Sequence, residues 1–237
     1  MMQHVMVKPQ ATQQKLAFNT PEIDNLFPGF TIGEFAVIHG SAGASAITTL
    51  LCIRAQLPPQ LGGLESNVIY IDCANTFTQD NIRRLAKINH LNPLTARKRI
   101  FNFAAFTAYQ LTSLIMDKLE EKVKSCTIKL VVISDIAGLF LDRTIPREEV
   151  QRIYGQIVSY LANFAKKNQI IIIATYHNSE DTVRNTVLRE LTLRTADTVL
   201  SYYKSPYTAE LNLEKHSTYM LGTAEPEFEN MSLMPFL

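Results

Sequence analysis

The amino-acid sequence predicts an α/β protein in which helices flank a doubly wound, mainly parallel sheet. Short, nearly continuous apolar runs rich in Val and Ile alternate with longer segments of helical periodicity. Runs of this kind are typical of strands that are buried on both faces of a parallel sheet. Their alternation with helices indicates a layered α/β domain. The predicted strands are Phe35–Ile38, Val68–Asp72, Leu130–Ser134 and Ile170–Thr175.

Helical periodicity is clearest in the segment before the last of these strands, where Val150, Ile157 and Leu161 fall on one apolar stripe. β-favouring stretches at Val199–Tyr203 and Thr218–Leu221 predict further strands near the C-terminal end of the sequence. The predicted helices are Ala46–Gln56, Thr78–His90, Ala108–Lys124 and Glu148–Lys167.

Length and composition favour a single globular core. The chain has 237 residues, and no Pro-, Gly- or Ser-rich linker divides it. We therefore expect a core domain at residues 16–225, preceded by an extension at 1–15 that is a candidate for partner binding. An apolar tail at 226–237 follows the core.

Composition also excludes several classes of protein. The three isolated cysteines match neither a disulfide framework nor a zinc-binding pattern. The start is polar and lacks the apolar segment of a signal peptide, and no apolar run is long enough to span a bilayer. We therefore expect an intracellular protein, cytoplasmic if its source is archaeal, without a membrane partner. A formal net charge of +1 does not by itself require a nucleic-acid partner.

A loop of small residues, Gly40–Ala46, joins the first predicted strand to the first predicted helix. Strand, loop and helix in this order are the layout of a P-loop. Its working form, G-x-x-x-x-G-K-[ST], holds phosphates with backbone N–H groups and a lysine, and holds Mg²⁺ with a hydroxyl. An ordinary Gly/Ala turn before a helix has the same layout, so both interpretations stay open on these residues.

Neither register of the motif supplies the lysine. Counting from Gly40 places Ala46 at the lysine position, whereas taking Gly43 as the second glycine places Ala44 there. No lysine occurs anywhere in residues 16–86. The candidate residues of a vestigial nucleotide site are Gly40, Ser41, Gly43 and Ser45.

The segment after this loop, residues 56–93, reads QLPPQLGGLESNVIYIDCANTFTQDNIRRLAKINHLNP. It resembles the corresponding stretch of archaeal RadA and RadB recombinases and their eukaryotic relatives, which have a QLPP-x-x-GGL loop, a strand ending in W-I-D-T-E-N-T-F, and a helix with R-I-R-x-I-A. The resemblance continues more weakly through Lys129–Phe140, Ile170–His177 and Leu191–Tyr203. It implies a RecA-type core whose C-terminal edge strands are antiparallel.

The resemblance also implies that catalytic groups are missing. The family's T-E-N-T-F glutamate activates water, and Ala74 stands at that position. Ser134 stands at the Walker B aspartate; Asp135 follows, but a shift of one residue on a strand turns a side chain to the other face. The family's T-N-Q becomes Thr175–His177. We therefore expect no ATP hydrolysis, no catalytic residue and no cofactor.

Two interpretations of the loop Gly40–Ala46 remain open if its catalytic groups are missing. Backbone N–H groups at the helix N-terminus could still attract an anion. Alternatively, Ala42, Ala44 and Ala46 fill the former phosphate space, which is the interpretation that we favour. His39 and His177 end different predicted strands without a carboxylate pattern, so no metal site is expected.

DNA binding is a separate expectation, because recombinases of this family bind DNA through two loops. The corresponding segments are Leu141–Arg147 and Asn178–Glu190, and each contains arginines. A further basic group follows the second predicted helix. Acidic neighbours dilute the positive charge, so a mixed, solvated surface explains these residues equally well. The DNA-binding candidates are Arg143, Arg147, Arg184, Arg189, Arg194, Arg97, Lys98 and Arg99.

Partner binding is the remaining use of such a core. In the family, cores associate head to tail, and an N-terminal segment adds a strand to the neighbour. The run HVMV within Met1–Lys15 is a candidate for such pairing. The apolar segment Phe228–Leu237 either covers the chain's own core or docks on a partner.

These features together predict a catalytically inactive RecA/RadA-like paralogue that supports or regulates a recombinase in homologous recombination and DNA repair. The expected partner is a RecA-family recombinase or paralogue, in a hetero-complex or a homo-oligomer, with single- or double-stranded DNA as a second candidate. The alternatives are a stand-alone DNA-binding module and a nucleotide sensor that binds without hydrolysis.

Overall fold

The structure is a computed structural model that describes residues 14–40, 43–177, 182–205 and 208–226. The strands are β1 (Lys15–Leu16), β2 (Phe30–Thr31), β3 (Phe35–Gly40), β4 (Asn67–Asp72), β5 (Ile100–Ala104), β6 (Ile128–Ser134), β7 (Ile171–His177), β8 (Thr198–Lys204), β9 (Ala209–Lys215) and β10 (Gly222–Ala224). The α-helices are α1 (Pro21–Leu26), α2 (Ala44–Arg54), α3 (Gln79–Ile88), α4 (Pro93–Lys98), α5 (Ala108–Ser113), α6 (Leu119–Ser125), α7 (Arg147–Asn168) and α8 (Val183–Thr195). Short 3₁₀ turns lie at Pro59–Leu61 and Gly138–Leu141, and a π-helical turn at Leu114–Lys118 joins α5 to α6.

Eight strands form one sheet in the order β10-β9-β8-β3-β7-β6-β4-β5. The strands from β8 to β5 are parallel to their neighbours, whereas β8, β9 and β10 pair antiparallel. The predicted fold class is therefore confirmed, including the antiparallel strands at the C-terminal edge. Strands β1 and β2 form a separate antiparallel pair.

The two faces of the sheet carry separate hydrophobic clusters, because successive side chains on a strand point to opposite faces. In β4, Val68 and Tyr70 belong to the cluster beneath α1 to α4, while Ile69 and Ile71 belong to the cluster beneath α5 to α8. Helices therefore cover both faces, which is the doubly wound arrangement. The continuous apolar runs of the sequence follow from this burial on both sides.

Three stretches differ from the sequence-based expectation. The strand expected at Thr218–Leu221 is absent, since the backbone N–H groups of Thr218 and Tyr219 donate to Nδ1 of His216 and hold a turn; β10 begins only at Gly222. The predicted loop through Glu190 is largely helix α8, which the side chain of Thr182 caps by accepting from the N–H of Asn185. The half-exposed edge strand β5 was not predicted, since only its first residue is fully buried.

The expected N-terminal extension and C-terminal tail lie almost wholly outside the described residues. Within those residues, no helix combines the length and the apolar character needed to cross a bilayer.

Candidate functional site

A cavity of about 240 Å³ opens at the carboxyl ends of the central parallel strands. Strands β3, β4, β6 and β7 all end at this edge of the sheet, and open α/β sheets bind their ligands at such an edge. The residues that line the cavity are Ala44, Ser45, Ala74, Thr76, Asp135, Thr175, Tyr176 and His177.

Gly40, the last residue of β3, and Gly43, just before α2, lie very close to Tyr202 of β8. Gly40 has a positive φ of 123°, and an added Cβ would overlap the backbone carbonyl of Tyr202. Gly43 has an ordinary φ, but an added Cβ would overlap the ring of Tyr202. Packing therefore explains glycine at both positions without a bound phosphate.

Helix α2 begins at Ala44, and Gly43 is its N-cap residue. Ala44 and Ser45 line the cavity, whereas Ala46 is half-buried against the cluster beneath α1 to α4. When Gly43 is taken as the second glycine of the P-loop motif, the lysine position is Ala44, which lines the cavity. In the other register the lysine position is Ala46, which is not among the lining residues. Ala44 is itself buried in the cluster beneath α1 to α4 while it lines the cavity, so the expectation of a packed loop stays a prediction; Ser41 and Ala42 lie outside the described residues.

The turn after β4 is held by Asp72. Its two carboxylate oxygens accept from the backbone N–H groups of Thr76 and Phe77, each at 3.0 Å. This turn presents the methyl group of exposed Ala74 to the cavity. A methyl group can neither orient nor deprotonate water, so the turn keeps its shape without a general base.

Ser134, at the end of β6, belongs to a chain of hydroxyl groups. Its Oγ lies 2.7 Å from Oγ1 of Thr76, which lies 3.1 Å from the hydroxyl of Tyr70. Burial raises the pKa of Tyr70 to about 12, so this phenol stays protonated and neutral. Ser134 therefore joins β6 to the Asp72 turn through neutral hydrogen bonds.

Asp135 borders the cavity, contrary to the expectation that its side chain faces the other way. Strand β6 ends at Ser134, and Asp135 has a left-handed backbone with φ 54°, so strand alternation no longer applies. Its N–H donates to Oγ1 of Thr175 at 2.6 Å. Its Oδ1 accepts from the N–H groups of Gly138 at 3.3 Å and His177 at 3.5 Å. Burial raises the pKa of this carboxyl group, although these hydrogen bonds oppose the shift.

The described lining of the cavity contains one carboxylate, that of Asp135, and none of its residues is Lys or Arg. A triphosphate placed here would therefore have no lysine or arginine of the described lining beside it. The described residues also contain no group of three or more potential metal ligands.

Comparison with known proteins places this geometry in a family. A model of the Rad51 family matches residues 15–191. The chain belongs to the Rad51 family. It is 28% identical over 169 residues to the DNA repair and recombination protein RadA of Aeropyrum pernix, and the match covers 68% of this chain and 52% of that protein. The chain thus spans about half the length of this curated relative.

The first group of candidate DNA-binding residues in this Rad51-family chain is only partly on loops. Arg143 and Arg147 are exposed, and Arg147 already begins α7. Arg184, on α8, donates to the backbone carbonyls of Asp142 and, at 2.8 Å, Ile145. Arg184 therefore ties α8 to the segment before α7, which is a structural role.

Arg189 and Arg194 are exposed on the same helix as Arg184. Residues five apart on an α-helix differ in direction by about 140°. These three arginines therefore do not converge on one surface, although the interpretation of this segment as a DNA-binding loop requires that they do.

The second basic group is also engaged internally. Arg97 lies over the ring of Phe77 at 5.2 Å and donates to the carbonyl of Ile100 at 3.0 Å. Arg99 donates to Oδ1 of Asn67 at 3.2 Å. Lys98 is exposed between them. The two arginines support the corner between α4 and β5, and the sequence alone could not separate this role from DNA binding.

A feature that sequence reasoning missed lies at the β5 edge of the sheet. A small apolar pocket opens between β4, β5 and the helix α5–α6, next to the π-helical turn. Since a π turn carries no recognisable sequence pattern, nothing in the chain signalled it. We call it the β5 pocket; its lining residues are Ile69, Ile71, Phe103, Leu114, Lys118, Leu119 and Lys122.

Proposed function

We propose that this Rad51-family chain is a catalytically inactive paralogue that acts as an accessory or regulatory subunit in homologous recombination and DNA repair. One observation carries the proposal. The cavity at the carboxyl ends of the parallel strands has Ala44 and Ala74 where a working site needs a lysine and a general base. Neither methyl group can replace the missing chemistry.

The remaining groups around the cavity do not compensate for this loss. Phosphoryl transfer depends on cations that neutralise the charge developing on the phosphate oxygens. Among the described residues that line the cavity, none is a lysine or arginine that could supply this charge. Hydrolysis of ATP by this subunit is therefore not expected.

The proposed role in recombination rests on relatedness. The relative from Aeropyrum pernix is described as a DNA repair and recombination protein, and the family match covers most of the core. A core that keeps its fold while losing hydrolysis retains its surfaces for partners. The partner that we propose is a RecA-family recombinase or paralogue.

The β5 edge is the proposed docking surface for that partner. Within the described residues, β5 pairs only with β4 and ends the sheet, so its outer edge offers backbone groups for an added strand. The β5 pocket lies beside this edge, and its volume of about 20 Å³ has room for no more than a small apolar group of the added strand. Lys118 and Lys122 at its rim favour an acidic flank on the partner.

DNA is a second proposed partner. Arg147, Arg189 and Arg194 are exposed and available to phosphates, although Arg189 and Arg194 point in different directions from α8. Binding that weakens steeply with salt would support this contact, because each phosphate contact releases counterions. Binding that ignores salt concentration would exclude it.

Steady-state phosphate release, with and without single-stranded DNA, tests the loss of hydrolysis. The control is Ala44→Asp, which adds a negative charge to the cavity and should abolish any activity that belongs to it. We expect equal, background release from both proteins. Release by the parent protein that disappears in Ala44→Asp would overturn the proposal.

Co-elution with the recombinase of the same cell tests the accessory role. Phe103→Lys, in the β5 pocket, should weaken the complex, whereas Phe106→Lys, at an exposed neighbour outside that pocket, should not. Deleting Met1–Lys15 or Met231–Leu237 tests whether either terminus contributes. A protein that captures no RecA-family partner with both termini intact would contradict this role.

A further inference from the structure

The carboxylate of Asp135 is held in a fixed position at the cavity wall. Its backbone is left-handed, a conformation that is uncommon for residues other than glycine and that often marks functional positions. The backbone N–H of Asp135 donates to the hydroxyl of Thr175, and Oδ1 of Asp135 accepts from the N–H groups of Gly138 and His177. These contacts come from β7 and from the turn after β6, so two neighbouring elements orient one carboxylate.

This carboxylate lacks a fixed counter-ion among the described residues that line the cavity. None of them is Lys or Arg, and His177, the one imidazole, is exposed. Burial disfavours the charged form of Asp135 and raises its pKa, and the charge interaction with His177 opposes this shift only in part. A half-buried carboxylate without a fixed lysine or arginine beside it carries a desolvation cost that a cationic ligand would recover.

The other walls suit a planar, hydrogen-bonding cation. Ala44 and Ala74 are small and leave space in front of Asp135, and the hydroxyl oxygen of Ser45 is an acceptor at the wall. The cavity of about 240 Å³ is ample for a guanidinium group, since one water molecule occupies roughly 30 Å³ of liquid. A guanidinium group carries five N–H donors in one plane and pairs with a carboxylate through two of them.

We propose that the cavity receives an arginine side chain of a partner protein, with its guanidinium group against Asp135. The inference rests on the proposed function, because a cavity occupied by Mg²⁺ and ATP would have no place for this side chain. It reverses the charge of the expected ligand, from an anionic nucleotide to a cationic side chain. It also assigns the accessory subunit a second contact with its partner, separate from the β5 pocket.

Titration of the isotope-labelled full chain with N-acetyl-arginine amide, followed by NMR, tests this inference. The matched probe is N-acetyl-citrulline amide, which has a similar shape but no charge. We expect saturable shifts of the backbone signals of Asp135 and His177 with the arginine probe and none with citrulline. Equal shifts with both probes, or none with either, would overturn the inference.

Variants locate the binding. Asp135→Asn should weaken binding of the arginine probe about tenfold or more, because it removes the charge-assisted hydrogen bonds, and asparagine tolerates the same left-handed backbone. Ala44→Lys should also abolish binding by supplying a cation within the chain. Gln79→Lys, at an exposed position that is not among the lining residues, is the control and should bind normally. Unchanged binding in Asp135→Asn would overturn the inference.

Two further additions separate this inference from the proposed function. These are Mg²⁺ alone and Mg²⁺ with ATP. If either shifts the same signals and competes with the arginine probe, the assignment of the cavity to arginine would be overturned. Phosphate release in the same samples addresses hydrolysis independently. Arginine binding can therefore fail while the protein remains inactive, and hydrolysis can appear whatever the result of the arginine titration.

Discussion

Gly43 occupies a position where one added methyl group has a definite steric cost. Its φ is ordinary, so alanine would bring no backbone strain, but the new Cβ would overlap the ring of Tyr202. We expect Gly43→Ala to lower the free energy of unfolding by about 1–3 kcal/mol, as overpacking of a filled core does. Denaturant unfolding monitored by circular dichroism measures this change.

Gly155 is the matched control, because a Cβ added there, within helix α7, meets no heavy atom within 4 Å. Gly155→Ala should raise the free energy of unfolding by roughly 0.5–1 kcal/mol, the usual gain from replacing glycine within a helix. Equal changes in the free energy of unfolding for the two substitutions would contradict the close approach of the Tyr202 ring to Gly43.

The raised pKa of Asp135 predicts a pH-dependent difference between the parent protein and Asp135→Asn. Burial lets the folded state hold the proton to a higher pH than the unfolded state, whose carboxyl group titrates near pH 3.9. The contribution of Asp135 to stability is therefore fully present below that pH and is lost as the pH rises through the folded pKa. The asparagine variant does not undergo this loss.

Unfolding of the two proteins in denaturant between pH 3.5 and pH 8 measures this difference. We expect Asp135→Asn to gain stability relative to the parent protein as the pH rises toward neutrality. A relative stability that stays constant, or falls, over this range would show that the folded pKa of Asp135 is not raised.

At single residues, the sequence is informative where identity alone decides the chemistry, although the loss of hydrolysis inferred from it stays a prediction. Ala74 and the missing lysine can be read directly, because a methyl group has no acid, base or charge in any conformation. Asp135 could not be placed, since the left-handed turn that brings it to the cavity has no signature in the neighbouring residues. The approach of Tyr202 was equally unreadable, because it joins strands far apart in sequence.

At the scale of elements, Arg184 and Arg189 lie on the same helix but differ in role. Arg184 of α8 donates to two backbone carbonyls in the segment before α7, whereas Arg189 is exposed. We expect Arg184→Ala to lower the free energy of unfolding by roughly 1–2 kcal/mol, because it leaves those carbonyls without a charged donor. Arg189→Ala, the control, should change it by less than about 0.5 kcal/mol. Thermal or chemical unfolding of both variants decides between a structural and a surface role for Arg184.

Predicted elements agreed with the structure where burial on both faces produced an uninterrupted apolar run, as in β3 and β6. Prediction failed where tertiary contacts decide the backbone. The expected loop before Glu190 is helical because Thr182 caps α8 and Leu188 packs into the core, although the segment reads as polar. The edge strand β5 has too little burial to produce a strand pattern.

At the scale of the whole molecule, the order of strands places the candidate catalytic positions at one edge of the sheet. The parallel strands β3, β4, β6 and β7 end together, so the start of α2, the turn at Ala74, Asp135 and His177 surround one cavity. The fold class followed from the sequence, whereas the gathering of these positions around one cavity and the β5 pocket became visible only in the packed structure.

The most direct test of the central claim, that this cavity no longer supports ATP hydrolysis, is a single-turnover experiment with the protein in excess over labelled ATP and Mg²⁺. Excess protein favours binding of ATP, so labelled phosphate forms even if ATP binds weakly or reacts slowly. The Ala44→Asp variant, purified in the same way, measures the phosphate that contaminating enzymes release. We predict no labelled phosphate above the level of Ala44→Asp over the lifetime of the protein. Complete conversion of ATP by the parent protein, absent from Ala44→Asp, would contradict the claim.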